Sequence, residues 1–216
     1  MKAILFDFDG VIVDSETSTF LLLQNICLRH GVQLPNSLLP SRVGKKITKF
    51  VDETLAESAD SSVREKIIED FYETFLREPE RYTEPIDATV DFVRNFDKQD
   101  IKYAVASVGG RGSIVSILQS LKIEDRFDLL VSSDDVKELK PNPEVYLKCL
   151  ELLHLEPKDC VIIEDSLVGA EAGVASGIPV YIIRNGLNNS ISFQGIKIAG
   201  FIEKSEDIAA LAKGSR

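Results

Sequence analysis

The chain opens on Ile4-Leu5-Phe6-Asp7-Phe8-Asp9-Gly10-Val11-Ile12-Val13-Asp14-Ser15-Glu16, a buried-strand pattern that ends in two carboxylates. Asp7 and Asp9 stand at alternate positions, so an extended chain points both to the same side. Gly10 permits a tight turn directly afterwards. A solvated acidic turn is the plainer reading, yet Asp7 is embedded in apolar sequence, where an unpaired charge is costly. A second acidic pair, Glu164-Asp165, follows the apolar run Val161-Ile162-Ile163. The two pairs could meet and hold a divalent cation through oxygen ligands, or one acid could cap the helix that follows. Ser107 precedes Val108-Gly109-Gly110 and then a helical pattern. A hydroxyl and backbone N–H groups at a helix start can hold phosphate oxygens, and the same glycines also suit an ordinary loop. Lys140, in Leu139-Lys140-Pro141-Asn142-Pro143, reads either as a solvated lysine or as the cation that neutralises a carboxylate–phosphate pair.

These residues need a scaffold that brings distant segments to one place. Short β-rich runs recur at Ala3 to Phe6, Tyr103 to Ala106, Leu129 to Ser132, Val161 to Ile163 and Val180 to Ile183. Near-continuous apolar runs of this kind suit strands buried on both faces of a parallel sheet. Amphipathic helices alternate with them, one with the stripe Ile114, Ile117, Leu118 and Leu121, another with Tyr146, Cys149, Leu150 and Leu153. Asn142 before Pro143 suits an N-cap, and Gly177 suits the end of a helix that stops after Ala175. The expected fold is α/β, an open parallel Rossmann-like sheet flanked by helices. In such folds ligands bind outside the carboxyl ends of the strands, where all four candidate segments fall. Between Asp14 and Arg81 the pattern is helical only, with Val63, Ile67, Phe71 and Phe75 on one face and Ile47, Phe50 and Val51 on another. The expected organisation is therefore a core of residues 1–13 and 86–216 and an inserted all-helical domain of residues 14–85, hinged near 13 and 84–85.

The 216 residues include 44% hydrophobic and 28% charged residues, with a formal net charge of −10. That balance can bury a real core but offers no basic face for nucleic acid or an anionic membrane. Convergent carboxylates would instead favour a divalent cation. Cys27, Cys149 and Cys160 are widely spaced and odd in number, as apolar fillers in a reducing compartment would be. His30 and His154 both read as helix-end residues. No signal peptide or membrane-spanning run is expected, which makes the cytoplasm the default location.

The four segments, DFDGVIVDSE at Asp7 to Glu16, Ser107, Lys140-Pro141 and Glu164-Asp165-Ser166, resemble in this order the four motifs of the haloacid dehalogenase superfamily. The helical insert after the first motif resembles that family's cap, and the pattern is most similar to the β-phosphoglucomutase-like phosphatases and mutases. The resemblance implies Asp7 as the nucleophile of an aspartyl-phosphate mechanism, ionised at neutral pH at an ordinary pKa of about 3.9. It implies Asp9 as the acid that protonates the leaving oxygen and the base that activates water, with a pKa raised by its acidic neighbours. Mg²⁺ would lie between the carboxylate of Asp7, the main-chain carbonyl of Asp9 and Asp165, with Glu164 supporting through water. Ser107, the Val108 segment and Lys140 would hold the phosphoryl group.

Asp9 argues for phosphoryl transfer, because the dehalogenases of the superfamily lack an acid there and use no metal. The mutases carry a cap histidine where this chain has Thr19, and a cap-loop arginine where Lys45, Lys46 and Ile47 follow Gly44. Both departures favour a phosphatase acting on a small phosphorylated metabolite, such as a sugar phosphate, over a mutase. Gly44, Lys45 and Lys46 are the expected cap contacts to an anionic substrate, although two lysines at a helix start also suit a solvated face. Pro85-Ile86 replaces the family's usual proline–glycine, and Val108-Gly109 stands where polar residues are common. A monomer is expected. The alternatives of another class are a binding or regulatory relative that lost activity, which would be expected to lack Asp7, Asp9 or Asp165, and a nucleotide-dependent oxidoreductase, for which no GxGxxG follows the first strand.

Overall fold

The protein is described by a computed structural model covering residues 1–42, 45–97, 101–186, 188–189 and 191–214. Its strands are β1 (Ala3–Phe6), β2 (Val13–Asp14), β3 (Glu84–Pro85), β4 (Lys102–Ala106), β5 (Leu129–Val131), β6 (Cys160–Glu164), β7 (Val180–Ile183) and β8 (Gly200–Ile202). The α-helices are α1 (Glu16–Arg29), α2 (Leu39–Arg42), α3 (Ile47–Leu55), α4 (Ser61–Arg77), α5 (Asp87–Asn95), α6 (Arg111–Ser120), α7 (Glu144–Leu153), α8 (Leu167–Ala175) and α9 (Ser205–Lys213). The chain forms two compact units, Met1–Val13 with Pro85–Arg216, and Asp14–Glu84.

In the first unit six parallel strands run in the order β5-β4-β1-β6-β7-β8. The period of two sorts side chains between the faces. Ile4 and Phe6 of β1 join Tyr103 and Val105 of β4 against Val90, Phe92, Ile114, Leu118 and Ile208. Ala3 and Leu5 face the other way, with Ala104, Ile162, Val145, Cys149 and Ala172. Because both faces are covered, the central strands read as unbroken apolar runs. The register pairs Phe6 with Val105 and with Ile163, which lines up the carboxyl ends of β1, β4 and β6.

The expected strands are all present, with small differences at their ends. Leu129–Val131 stops one residue early, because Ser132 begins a capped turn in which its hydroxyl accepts the Asp134 N–H. Helix α7 starts at Glu144, and the Asn142 side chain accepts the Glu144 N–H at 3.0 Å from just outside it. Gly177 follows α8 with φ +79°, a conformation favouring glycine. The edge strand β8 was not expected: it is three residues long, begins at Gly200 and buries only Ile202.

The second unit buries its own core, in which Phe20, Leu23 and Ile26 of α1 meet Phe50 and Val51 of α3 and Ile67 and Phe71 of α4. Asp60 caps α4 by accepting the Val63 N–H at 3.0 Å. All three cysteines are buried and unpaired by disulfides. Among the described residues no helix is long and apolar enough to cross a membrane.

Helix α8 lies hard against the sheet. A Cβ at Gly173 would stand 2.6 Å from Val180 Cγ2 and 3.1 Å from Ile162 Cδ1. Both contacts are buried β-branched side chains with little room to yield. Gly173→Val should therefore destabilise the protein by about 1–3 kcal/mol through overpacking, despite removing a helical glycine. A thermal melt with unchanged Tm would show that the helix can move off the sheet.

Candidate active site

Asp7 is the first residue beyond β1, and its N–H still donates to the Ile163 carbonyl at 2.9 Å. Its side chain is therefore delivered beside the end of β6, where Glu164 and Asp165 follow Ile163. After Asp9 the chain turns back at once: Val11, Ile12 and Val13 all donate their N–H groups to the Phe8 carbonyl. Gly10 takes φ +78°, and a Cβ there would lie 1.9 Å from Asp165 Oδ2. The Asp165 carboxylate thus occupies the space that any other residue at position 10 would need.

Asp7, Glu164 and Asp165 each present a carboxylate oxygen within 4.8 Å of the others. Lys140 supplies the ammonium among them. Its Nζ lies 2.9 Å from Asp7 Oδ1 and 2.7 Å from Glu164 Oε1, and donates to the Ala106 carbonyl at 3.1 Å. The lysine side chain is only 4% exposed, so Lys140 is no solvated surface residue. Burial alone would favour the neutral amine, but Asp7 and Glu164 outweigh it and hold Lys140 protonated.

Glu164 is fully buried, and both its oxygens are committed. Oε1 accepts from Lys140 and from the Tyr146 hydroxyl at 2.8 Å. Oε2 accepts from the Asp165 N–H at 2.9 Å, the Ser166 N–H at 3.2 Å and the Ser166 hydroxyl at 3.1 Å. Burial opposes the charge on Glu164, but Lys140, with Tyr146 and the Ser166 backbone, holds its pKa below the usual carboxylate value. Glu164 thus fixes Lys140 while standing as one of the three acids grouped at the site. The helix-capping alternative for this acidic pair also falls elsewhere, because Ser166 caps α8 by accepting the Gly169 N–H at 3.0 Å.

Asp7 differs from its expected ordinary acidity. Burial, then the charge of Glu164, push its pKa up to about 8, against the opposing pull of Lys140. Burial, Glu164 and Asp7 likewise raise Asp165 well above the carboxylate range. Three carboxylates against one ammonium leave an excess of negative charge that the protein alone does not balance. An all-oxygen donor set with that excess fits a hard divalent cation. Asp9 is half-buried beside the turn.

Ser107 follows β4 and is buried, with its hydroxyl oxygen accepting the Gly109 N–H at 3.0 Å. That bond uses a lone pair and leaves the hydroxyl proton to donate elsewhere. Val108 is exposed and can offer only its backbone, and α6 begins at Arg111 just beyond Gly110.

The helical unit holds the other candidates. Gly44 lies outside the described residues. Lys45 pairs with Glu53 at 2.8 Å, and Lys46 is exposed at the start of α3. Thr19 is buried and donates its hydroxyl to the Ser15 carbonyl at 2.5 Å.

Two groups at the core site were not singled out by sequence. Tyr146 was expected only as an apolar stripe residue, yet its hydroxyl holds Glu164 and its ring lies 4.8 Å beneath Lys140 Nζ. Asn185 Nδ2 donates to Asp165 Oδ2 at 3.0 Å, from a loop that reads as turn-forming residues.

A sequence profile of haloacid dehalogenase-like hydrolases matches residues 4–183. The chain is 32% identical to a phosphoglycolate phosphatase of Aquifex aeolicus over 177 residues, covering 82% of each chain. It is 30% identical to a phosphorylated carbohydrates phosphatase of Thermotoga maritima over 198 residues, covering 88% of each. A Thermotoga maritima crystal structure provisionally described as a β-phosphoglucomutase superposes with a TM-score of 0.81 at 26% identity over the whole of both chains. A subfamily IA hydrolase of the haloacid dehalogenase superfamily from Geobacter sulfurreducens shares the fold, with a TM-score of 0.80 at 18% identity, covering 98% of this chain and 96% of that one. The profile spans every strand end that contributes to the carboxylate–lysine cluster, and the chain belongs to the haloacid dehalogenase-like hydrolases.

Proposed function

We propose that this protein is a divalent-cation-dependent phosphatase that hydrolyses small phosphate monoesters through an aspartyl-phosphate on Asp7. The observation that carries this reading is the buried Lys140 ammonium held between Asp7 and Glu164, with Asp165 beside them. The names of the relatives from Aquifex and Thermotoga point the same way, towards small phosphorylated metabolites such as sugar phosphates.

Asp7 attacks phosphorus, and its new O–P bond forms as the bond to the ester oxygen breaks. Asp9 gives its proton to that oxygen and releases the alcohol. Water then attacks the aspartyl phosphate, Asp9 takes the proton, and Asp7 returns as a carboxylate with release of inorganic phosphate. Lys140 sits on Asp7 Oδ1 and balances charge as nucleophile and phosphate meet. The Ser107 hydroxyl, with its proton uncommitted, and the backbone from Val108 to Gly110 hold the phosphoryl oxygens. Asp7, Asp165 and the main-chain carbonyl of Asp9 would hold Mg²⁺, whose charge offsets the carboxylate excess and favours the ionised form of Asp7. Glu164 and Tyr146 orient Lys140. Lys45 and Lys46 are the proposed cap contacts to an anionic substrate. Thr19, committed to its own helix, offers no acid–base group of the mutase kind, which supports hydrolysis over phosphoryl isomerisation.

Product analysis by phosphorus NMR tests the reading, using Mg²⁺, a panel of sugar phosphates, and β-glucose 1-phosphate with a trace of the bisphosphate. Inorganic phosphate should accumulate from several esters. Glucose 6-phosphate formed without phosphate loss would make the protein a mutase. Excess chelator should stop turnover and added Mg²⁺ restore it; turnover that persists in chelator would sink the cation requirement.

Asp7→Asn should lower turnover by about a thousandfold or more, and near-normal phosphate release would remove Asp7 as nucleophile. Stability should move the other way. A carboxyl whose folded pKa is raised costs the folded state stability at every pH above its unfolded value, so the penalty is present at neutral pH. In chelator at pH 7, Asp7→Asn should therefore melt at a higher temperature than the native protein. The difference should shrink as pH falls towards 4, where the carboxyl of the unfolded chain also takes up its proton. A lower melting temperature at pH 7 would mean that the Lys140 pair outweighs the burial penalty.

A further inference from the structure

Beyond the four family segments, a fifth segment closes on the same site. Asn185 Nδ2 donates both to Asp165 Oδ2 at 3.0 Å and to the Gly10 carbonyl at 2.8 Å. Asn188, which is buried, donates through Nδ2 to the Asp165 carbonyl at 2.9 Å and to the Ile183 carbonyl at 2.7 Å. The two asparagines also bind each other. The Asn185 N–H donates to Asn188 Oδ1 at 3.2 Å, and the Asn188 N–H donates to Asn185 Oδ1 at 3.1 Å. One amide pair thus joins the turn after β1, the end of β6 and the end of β7.

The pair is itself anchored from the sheet edge. Arg184 Nη1 donates to the Asn188 carbonyl at 2.9 Å, and its guanidinium lies 4.3 Å from the ring of Phe201 in β8 and 5.4 Å from that of Phe193. A planar cation stacked on aromatic faces ties the Asn188 carbonyl to the sheet edge.

Asp165 needs such a clamp because it faces Asp7 and Glu164, and like charges would turn its carboxylate away. A lysine or arginine could hold it, but would cancel the charge a cation needs. An amide donates a hydrogen bond without cancelling that charge. Asn185 takes Oδ2 and leaves Oδ1 for a ligand, while the missing side chain at Gly10 gives the carboxylate its place.

We infer that Asn185, locked by Asn188, is a positioning residue that aims the Asp165 carboxylate at the cation site and couples it to the turn carrying Asp9. The inference rests on the cation-dependent reading above and deepens it. Outer partners of metal ligands commonly change metal affinity by about ten- to a hundredfold when removed.

The test is Mg²⁺ titration of the full-length native protein, Asn185→Ala and Asp165→Asn by isothermal calorimetry, with melting curves alongside. The native protein should bind Mg²⁺, and Asp165→Asn should lose most of that binding. Asn185→Ala should weaken Mg²⁺ by about ten- to a hundredfold, raise the Mg²⁺ concentration needed for half-maximal turnover to match, and leave KM for the ester at saturating Mg²⁺ nearly unchanged. Asn185→Ser, whose shorter side chain cannot span Asp165 and Gly10 together, keeps the question answerable should the alanine variant fold poorly. If the native protein binds Mg²⁺ and Asp165→Asn does not, while both Asn185 variants bind as tightly as the native protein, the positioning role is overturned and the cation reading stands. If the native protein binds no Mg²⁺, the cation reading itself falls.

Discussion

One buried ammonium sets the terms for the rest of the site. Lys140 lies within 2.9 Å of Asp7 and 2.7 Å of Glu164, with almost no contact with water. A buried ion pair contributes little net stability, but removing the ammonium would strand both Asp7 and Glu164 at a cost of about 3–5 kcal/mol. Each member therefore constrains the others. Glu164 is held in place by Lys140, Tyr146 and the Ser166 segment. Lys140 is held by Glu164 and the Ala106 carbonyl, and so must meet Asp7 from one direction. The remaining imbalance lies on Asp7 and Asp165, which is where a cation and a phosphate can act.

The parallel sheet makes this meeting possible because its register brings three strand ends level. The approach is then closed by what is absent. At Gly10 a Cβ would fall 1.9 Å from Asp165 Oδ2, and at Gly169 it would fall 1.7 Å from Glu164 Oε1. Both acidic side chains fill volume that a glycine vacates. The two glycines are therefore part of the electrostatic design: a methyl group at either would push a carboxylate out of the cluster. Gly10 carries a second demand, the left-handed φ of the turn.

Strand ends were legible in sequence because an apolar run that stops at an acid marks both a buried strand and its exit. Asp7, Glu164 and Asp165 were found on that signal. Lys140 could be named but not aimed, since a loop residue has no periodicity from which its direction follows. Glu164 was expected to support a cation, and no pattern reveals that Tyr146, eighteen positions earlier and apolar by spacing, spends its hydroxyl on it. Asn185 and Asn188 read as turn formers because turns use asparagine for its backbone behaviour, which hides a side chain used at long range. Strand β8 escaped for a simpler reason: it is only three residues long, opens on a glycine and shows no alternation of apolar and polar residues.

In the proposed reading, the helical unit bears on specificity through the cations it can spare. A mutase must hold a second phosphate, and that needs a cation not already spent. Arg42 is buried and bound to Glu16 at 2.9 Å and to the Lys45 carbonyl at 2.6 Å, so detaching it would strand a half-buried carboxylate. Lys45 is different, because its pair with Glu53 is solvent-exposed, and such pairs are worth about 1 kcal/mol or less. An anionic substrate could displace Glu53 at small cost, and Lys46 is already exposed. Two such ammonium groups could attract one negatively charged metabolite without fixing a second phosphate in a set geometry, because lysine acts as a point charge where arginine grips bidentately. That difference in grip suits release of a product more than its reversal and recapture, in keeping with the proposed hydrolysis.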